Sequence, residues 1–307
     1  MRPAVRAAGL SVVSNTGLVA VKLVTGLAMG SVSVISEAIH SALDLVAALI
    51  ALFSVREAAR PPDETHAFGH GKIENVAALV EALLVFAAAG WIVLEAARKL
   101  LGAVRVEALG LGVAVMAGSA LVNYLVSEHL YRVARETDSV ALKGDAVHLR
   151  TDVYTSVGVA AGLAAIHFTG LTVLDPLIAI VVALLIVRVA WRLTREAFRP
   201  LLDVRLSDDE EARVREIVGS FAKEFVEFHK LRTRRAGPER HIDLHLVVHP
   251  DHAVSEVHEL ADRIETALRE WWERTSVLIH IEPCRRAPDC DRCGNPCEPP
   301  PPTGSTS

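Results

Sequence analysis

The sequence predicts an α-helical membrane protein with six transmembrane helices, followed by a small α+β domain of order αββαβ. Three observations carry that fold class. Six apolar runs fill the first two thirds of the chain, each long enough to cross a hydrocarbon core of about 30 Å, which takes about 20 residues as helix. Beyond residue 203 the apolar positions change to the periods of a water-soluble domain. The chain is 51% hydrophobic with a mean hydropathy of +0.33, yet 22% charged, and the charges are unevenly distributed.

In order, the runs cover about 10–30, 34–55, 74–97, 108–130, 146–168 and 173–193. The opening MRPAVRAAGL enters the first run without a small-residue cleavage site, so no cleavable signal peptide is expected. Six spans put both termini on one side, and the excess of Lys and Arg selects it. Arg2, Arg6, Arg56, Arg60, Lys72, Arg132, Arg135, Lys143, Arg192, Arg195 and Arg199 flank the termini and the second and fourth loops, against Arg98, Lys99 and Arg105 in the third. Both termini are therefore expected in the cytoplasm, in a bacterial-type inner (plasma) membrane. Asn15, Lys22 and Asn123 sit inside spans, where such side chains bond to neighbouring helices or line a water-filled cavity. Glu81 lies two turns into the third span and needs a partner or a proton. Its spacing alone gives it no role.

Ser207, followed by Asp208, Asp209 and Glu210, reads as a capping box opening a helix to about residue 224. Alternating residues then predict strands near 227–233 and 241–249, a helix near 255–269 and a last strand at 276–282. The domains are read as 1–204 in the membrane, 205–284 in water and 285–307 as a proline-rich tail ending in PPPPTGSTS. About 80 residues suffice for a modest core.

The chemistry concentrates in the second and fifth spans. His40 and Asp44 in ISEAIHSALDLVAALIALFSVR are four residues apart, on one helix face. His148 and Asp152 repeat that interval in GDAVHLRTDVYTSVGVAAGLAAI. A single intramembrane histidine is as readily a hydrogen-bond partner as a ligand. Two His-x-x-x-Asp segments together supply two nitrogen and two oxygen ligands, a tetrahedral shell suited to zinc, and ionisable groups at such depth mark ion pathways. The loop AARPPDETHAFGHGKIEN adds Asp63, His66 and His70 within eight residues, either a polar loop or a second donor cluster. The formal charge of −5 gives no reason to expect nucleic-acid binding, and no P-loop or nucleophile-base pairing suggests an enzyme.

The segments SEAIHSALDLVAALIAL, PPDETHAFGHGKIENVAALVEALL and GDAVHLRTDVYTSVGV followed by LDPLIAIVVALLI resemble the cation diffusion facilitator family of divalent-metal/proton antiporters, over about residues 5–284. The resemblance implies that His40, Asp44, His148 and Asp152 form the transport site, and that Asp63, His66 and His70 form a loop site. It implies that Lys72 and Asp203 form an interdomain charge pair. It further implies a metallochaperone-like cytoplasmic domain in which His229, His245, His258, His280 and Glu282 bind zinc that holds a homodimer together. His129, His167, His241, His249 and His252 match no family ligand. Family members with this two-His, two-Asp set are chiefly zinc exporters, so Zn2+ is expected as substrate and as structural ion. Cadmium, cobalt, iron or manganese remain alternative substrates, and a membrane-anchored metal sensor without transport is the distant rival.

The four cysteines, Cys284, Cys290, Cys293 and Cys297, depart from the family pattern. In a cytoplasmic tail they favour thiolate metal ligation over disulfides. Ligand chemistry suggests the coupling: a metal-binding imidazole must be neutral, so protons compete with zinc for His40 and His148 and serve as counter-ions across the bilayer.

Overall fold

The computed structural model describes residues 2–29, 32–101, 111–169 and 173–284, and the chain divides into two compact units, Met1–Leu202 and Asp203–Ser307. The first unit is helical: α1 (Arg2–Met29), α2 (Val32–Glu57), α3 (Lys72–Leu101), α4 (Leu111–Thr137), α5 (Val140–Thr169) and α6 (Leu174–Phe198), closed by a 3-10 turn at Arg199–Leu202. Among the described residues, α1, α2, α3 and α6 are long and apolar enough to cross a membrane by length and composition.

Alanine dominates the interior of this unit. Ala47, Ala48, Ala51, Ala78, Ala82, Ala89, Ala146, Ala183, Ala190 and Ala197 have no accessible surface, while Leu27, Phe53, Trp91, Leu125, Leu184 and Trp191 face outward. This arrangement inverts a soluble bundle: small side chains let the helix backbones approach, and large apolar ones meet lipid. At Gly158 of α5 an added Cβ would stand 2.7 Å from Val182 Cγ2 of α6, so this glycine permits close approach.

The fifth helix begins six residues earlier than its apolar run predicts. Ser139 caps it, its Oγ accepting from Leu142 N at 3.3 Å and donating to Glu74 Oε2 at 2.6 Å. The same Glu74 oxygen accepts from Ala141 N at 3.4 Å. A carboxylate at a helix N-terminus meets unpaired amides and the positive end of the helix dipole. Glu74, from the first turn of α3, thereby fixes the start of α5 and the level of every side chain along it.

The second unit comprises α7 (Asp208–Gly219), β1 (Glu227–Ala236), β2 (Glu239–Val248), α8 (Val254–Trp271) and β3 (Thr275–Pro283), the expected αββαβ order. The capping box at Ser207 and Glu210 is formed as predicted. Helix α7 stops at Gly219 instead of reaching 224, because the segment must turn to deliver Val226 N to Val247 O at 2.8 Å. Strand β1 runs on to Ala236, where Gly237, at φ 58°, completes a tight hairpin turn into β2. The sheet order is β1-β2-β3, with β1 and β2 antiparallel and β3 parallel to β2 through the α8 crossover. Val257, Leu260, Ile264 and Leu268 of α8 form one buried core with Ile242, Leu244 and Leu246 of β2 and with Val214 and Val218 of α7.

Candidate metal centres

Helices α2 and α5 bring the two His-x-x-x-Asp pairs together. His148 Nε2 lies 3.1 Å from Asp44 Oδ1, joining residues 104 positions apart. His40 Nε2 stands 3.9 Å from the same Asp44 oxygen and 3.7 Å from Asp152 Oδ1. Ligand atoms of His40, Asp44 and Asp152 all lie within 4.8 Å of one another, so one divalent ion can bridge them with His148 as a fourth donor. The Asp44 and His148 side chains are almost fully buried, at 4% and 8% exposed, whereas His40 is 47% exposed and forms the accessible edge of the group. Lys22, assigned above to interhelical bonding, is buried in α1 and donates from Nζ to Ser41 Oγ of α2 at 2.8 Å.

The loop cluster also closes. Asp63 Oδ1 accepts from Thr65 N at 2.9 Å, Thr65 Oγ1 at 2.8 Å and His66 N at 2.7 Å, an Asx turn that fixes the carboxylate. Hydrogen bonds from the Thr65 hydroxyl and the His66 amide hold the Asp63 carboxyl well below the usual carboxylate range. His66 Nδ1 and His70 Nε2 each lie 3.2 Å from Asp63, on different oxygens, and their rings are 4.3 Å apart. Gly69, at φ 80°, lets the chain turn back so that His70 reaches the aspartate.

In the second unit the sheet register makes a row of imidazoles. His229 of β1 pairs with His245 of β2, which pairs with His280 of β3. Ring centroids are 5.5 Å apart for the first pair and 4.6 Å for the second. Glu282, two residues past His280 and so on the same face, reaches His245 Nδ1 at 2.6 Å and His229 Nε2 at 3.3 Å. The hydrogen bond from His245, with the nearby Lys230 charge, holds the Glu282 carboxyl below its ordinary value. A β-bulge between His229 and Arg232, with Lys230 at φ 49°, adjusts the edge of the row. His229, His245 and Glu282 form a third three-donor cluster.

A family model for the cation efflux transmembrane domain matches residues 9–202, and one for the cation efflux protein cytoplasmic domain matches residues 206–284. The chain belongs to the cation efflux, or cation diffusion facilitator, family. Cation-efflux pump FieF of Yersinia pestis (strain Pestoides F) is 35% identical to this transporter over 288 residues, 92% of this chain and 94% of its own. FieF of Serratia proteamaculans is 32% identical, covering 89% and 90%. An uncharacterized Synechocystis transporter, sll1263, is 35% identical over 83% of this chain and 82% of its own. The solved zinc form of CzrB is 38% identical, covers 26% of this chain and 90% of that one, and superposes with a TM-score of 0.25. The transporter is accordingly an integral membrane protein with a cytoplasmic α+β domain of the dimerisation type.

The other candidate residues are described within their own units. His258 lies on α8, 75% exposed, 3.6 Å from Asp262 and outside the Glu282 cluster of its own chain. Lys72 opens α3, while Asp203 accepts from Arg234 Nη1 at 3.1 Å. Cys284 is buried beside Val247, its amide extending the sheet to Val248 O at 2.9 Å. Cys290, Cys293 and Cys297 lie outside the described residues. Asp145 of α5, absent from the candidates read from the sequence, is fully buried three positions before His148. Starting the fifth span at 146 hides it. The signal that finds it is the spacing, because i and i+3 share a helix face.

Proposed function

We propose that the transporter exports divalent metal cations, chiefly Zn2+, from the cytoplasm in exchange for protons, through the quartet His40, Asp44, His148 and Asp152. The observation that carries this reading is the convergence of two nitrogen and two oxygen donors from α2 and α5 on one point inside a membrane unit, with His148 Nε2 on Asp44 at 3.1 Å. Mixed imidazole and carboxylate donors in a four-coordinate set favour zinc over the hard cations that prefer oxygen alone.

Proton coupling follows from the donors. Each imidazole must shed a proton to bind metal, and each carboxylate that gains one binds metal less well. With the quartet open to the cytoplasm, zinc displaces protons; after the helices rock to face outward, protons entering the quartet expel zinc and return inward. The partly exposed His40 is the first ligand an incoming ion meets.

The sites outside the bilayer serve assembly and control in this reading. His229, His245, His280 and Glu282 hold zinc on the sheet, His258 donates across a homodimer, and the Asp63, His66 and His70 loop senses cytoplasmic metal. Both termini face the cytoplasm of a bacterial-type inner membrane.

The test is zinc flux into proteoliposomes with and without an imposed proton gradient, comparing the native chain with Asp152→Ala. Proton-stimulated flux that disappears in the variant is expected. Native protein that binds zinc tightly but moves none would replace transport by sensing. A competition series of cadmium, cobalt, iron and manganese against zinc ranks the substrates.

A further inference from the structure

Beneath the quartet lies a second set of buried acids that the antiport reading does not use. Glu81 of α3 and Asp145 of α5 have no accessible surface. Neither oxygen of the Glu81 carboxyl has a hydrogen-bond partner among the described residues, and the Ser11 hydroxyl is the hydrogen-bonding side chain that acts on Asp145. The two belong together. A Cβ added to Gly144 would collide with the Glu81 carboxylate, so Glu81 packs directly on the α5 backbone beside Asp145, and Asp145 is the ionisable group that acts on it. Glu74, two turns earlier on α3, sets this level by capping the start of α5.

No lysine or arginine forms an ion pair with either acid among the described residues. The two basic side chains of α5 nearest to it are engaged elsewhere, Lys143 with Glu196 of α6 at 2.6 Å and Arg150 with Glu128 of α4 at 2.8 Å. The groups that act on Asp145 from its surroundings are the quartet members His148, Asp44 and Asp152, and the Ser11 hydroxyl of α1. Ser11 is itself fully buried, and Asp145 is the acid its hydroxyl acts on. Two adjacent carboxylates with no lysine or arginine beside them resist ionising together in a dry interior, because the desolvation cost of each adds to their repulsion.

We propose that Glu81 and Asp145 form a second proton-binding site, one helical turn from the metal quartet, which releases a proton to water when metal binds the quartet and regains one when the metal leaves. Three residues of helix separate Asp145 from His148, about 4.5 Å along the axis. At that range a divalent charge in the quartet stabilises the ionised pair, and by linkage the protonated pair weakens metal binding by the same factor. Coupling then has two sources: competition for the ligands themselves, and an electrostatic contribution from acids that never touch the metal. Because these acids are not ligands, they lose or gain a proton without giving up a contact to the metal.

This inference rests on the antiport reading, and the experiment separates the two. Protons released per zinc bound are counted on the full chain by titration calorimetry in buffers of different ionisation enthalpy, for the native protein, Glu81→Gln and Asp145→Asn. Flux against external pH is measured on the same proteins in liposomes. Both variants are expected to bind zinc, to release fewer protons per zinc than the native chain, and to lose at least half of the stimulation by a proton gradient. Unchanged proton counts and unchanged pH profiles in both variants would overturn the proposal while leaving antiport standing. A native chain that moves zinc without releasing protons would overturn both. Should the variants misfold, Glu81→Asp and Asp145→Glu keep a carboxyl at each position, and zinc-minus-apo infrared difference spectra decide: a shift of the protonated-carboxyl C=O band lost on zinc binding supports the proposal, and a band unchanged from the native chain contradicts it.

Discussion

The quartet and the histidine row use the same donor atoms but are held by different means. His40, Asp44, His148 and Asp152 come from two helices whose mutual placement depends on side-chain packing, with Asp44 and His148 at hydrogen-bond length and His40 standing 3.9 and 3.7 Å from the two aspartates. His229, His245 and His280 stand on three strands whose spacing is set by the backbone ladder, with Glu282 bonded to His245 at 2.6 Å. A helix pair can slide or rotate and separate its donors, whereas a sheet cannot do so without losing hydrogen bonds. Their exposure differs in the same sense: Asp44 is 4% exposed and Glu282 is 30% exposed. A cluster that takes up and releases an ion inside a bilayer needs the first design, and one that retains an ion in water needs the second.

The largest effects should come from testing that division directly. Asp44→Ala removes the oxygen shared by His40 and His148 and should reduce zinc flux by at least about 100-fold, beyond the 10- to 100-fold typical of losing an outer-shell partner. His245→Ala should reduce flux far less but abolish the zinc-dependent rise in melting temperature of the cytoplasmic unit. Metal at 100 times its dissociation constant supplies about 2.7 kcal/mol of such stabilisation. Equal flux losses in the two variants would erase the distinction. Gly144→Ala forces a methyl group onto the Glu81 carboxylate and Ala78, and overpacking of this kind costs about 1–3 kcal/mol. Thermal unfolding of the purified transporter measures it.

Smaller effects probe the water-soluble half. Since the folded-state value of Glu282 lies below its ordinary one, its pairing with His245 contributes stability that is present above about pH 4.3 and lost as pH falls through the lower, folded value. With chelator present, the melting temperature of the cytoplasmic unit should decline below that pH, and Glu282→Gln should flatten the decline. Ser207→Ala removes one side of a complete capping box and should cost about 1 kcal/mol, visible in the same melting curve.

Much of the molecule is legible in the sequence because its signals are local. The i, i+4 spacing of His40 with Asp44 and of His148 with Asp152 is a helix-face statement, and Ser207 with Glu210 is a capping statement; neither needs the rest of the chain. What escapes depends on distant partners. The start of α5 at Val140 is set by Glu74, 65 residues before Ser139, so a hydropathy run that begins at 146 cannot locate it, and Asp145 falls outside the span. The histidine row requires a strand register, which fixes His229 opposite His245 and His245 opposite His280. Alternation alone can place each histidine on a face, not in a row. His258, grouped with them by resemblance, stands on α8 beside Asp262, and no contact among the described residues of one chain draws it to Glu282.

One paired measurement tests the central claim that the quartet moves the ion and the sheet row retains one. Proton-driven zinc flux and zinc-dependent dimer stability are measured together on His148→Ala and His245→Ala. The account predicts that His148→Ala loses flux and keeps the zinc-stabilised dimer, while His245→Ala loses that stabilisation and keeps proton-driven flux. Flux surviving His148→Ala, or vanishing equally in both, would contradict it.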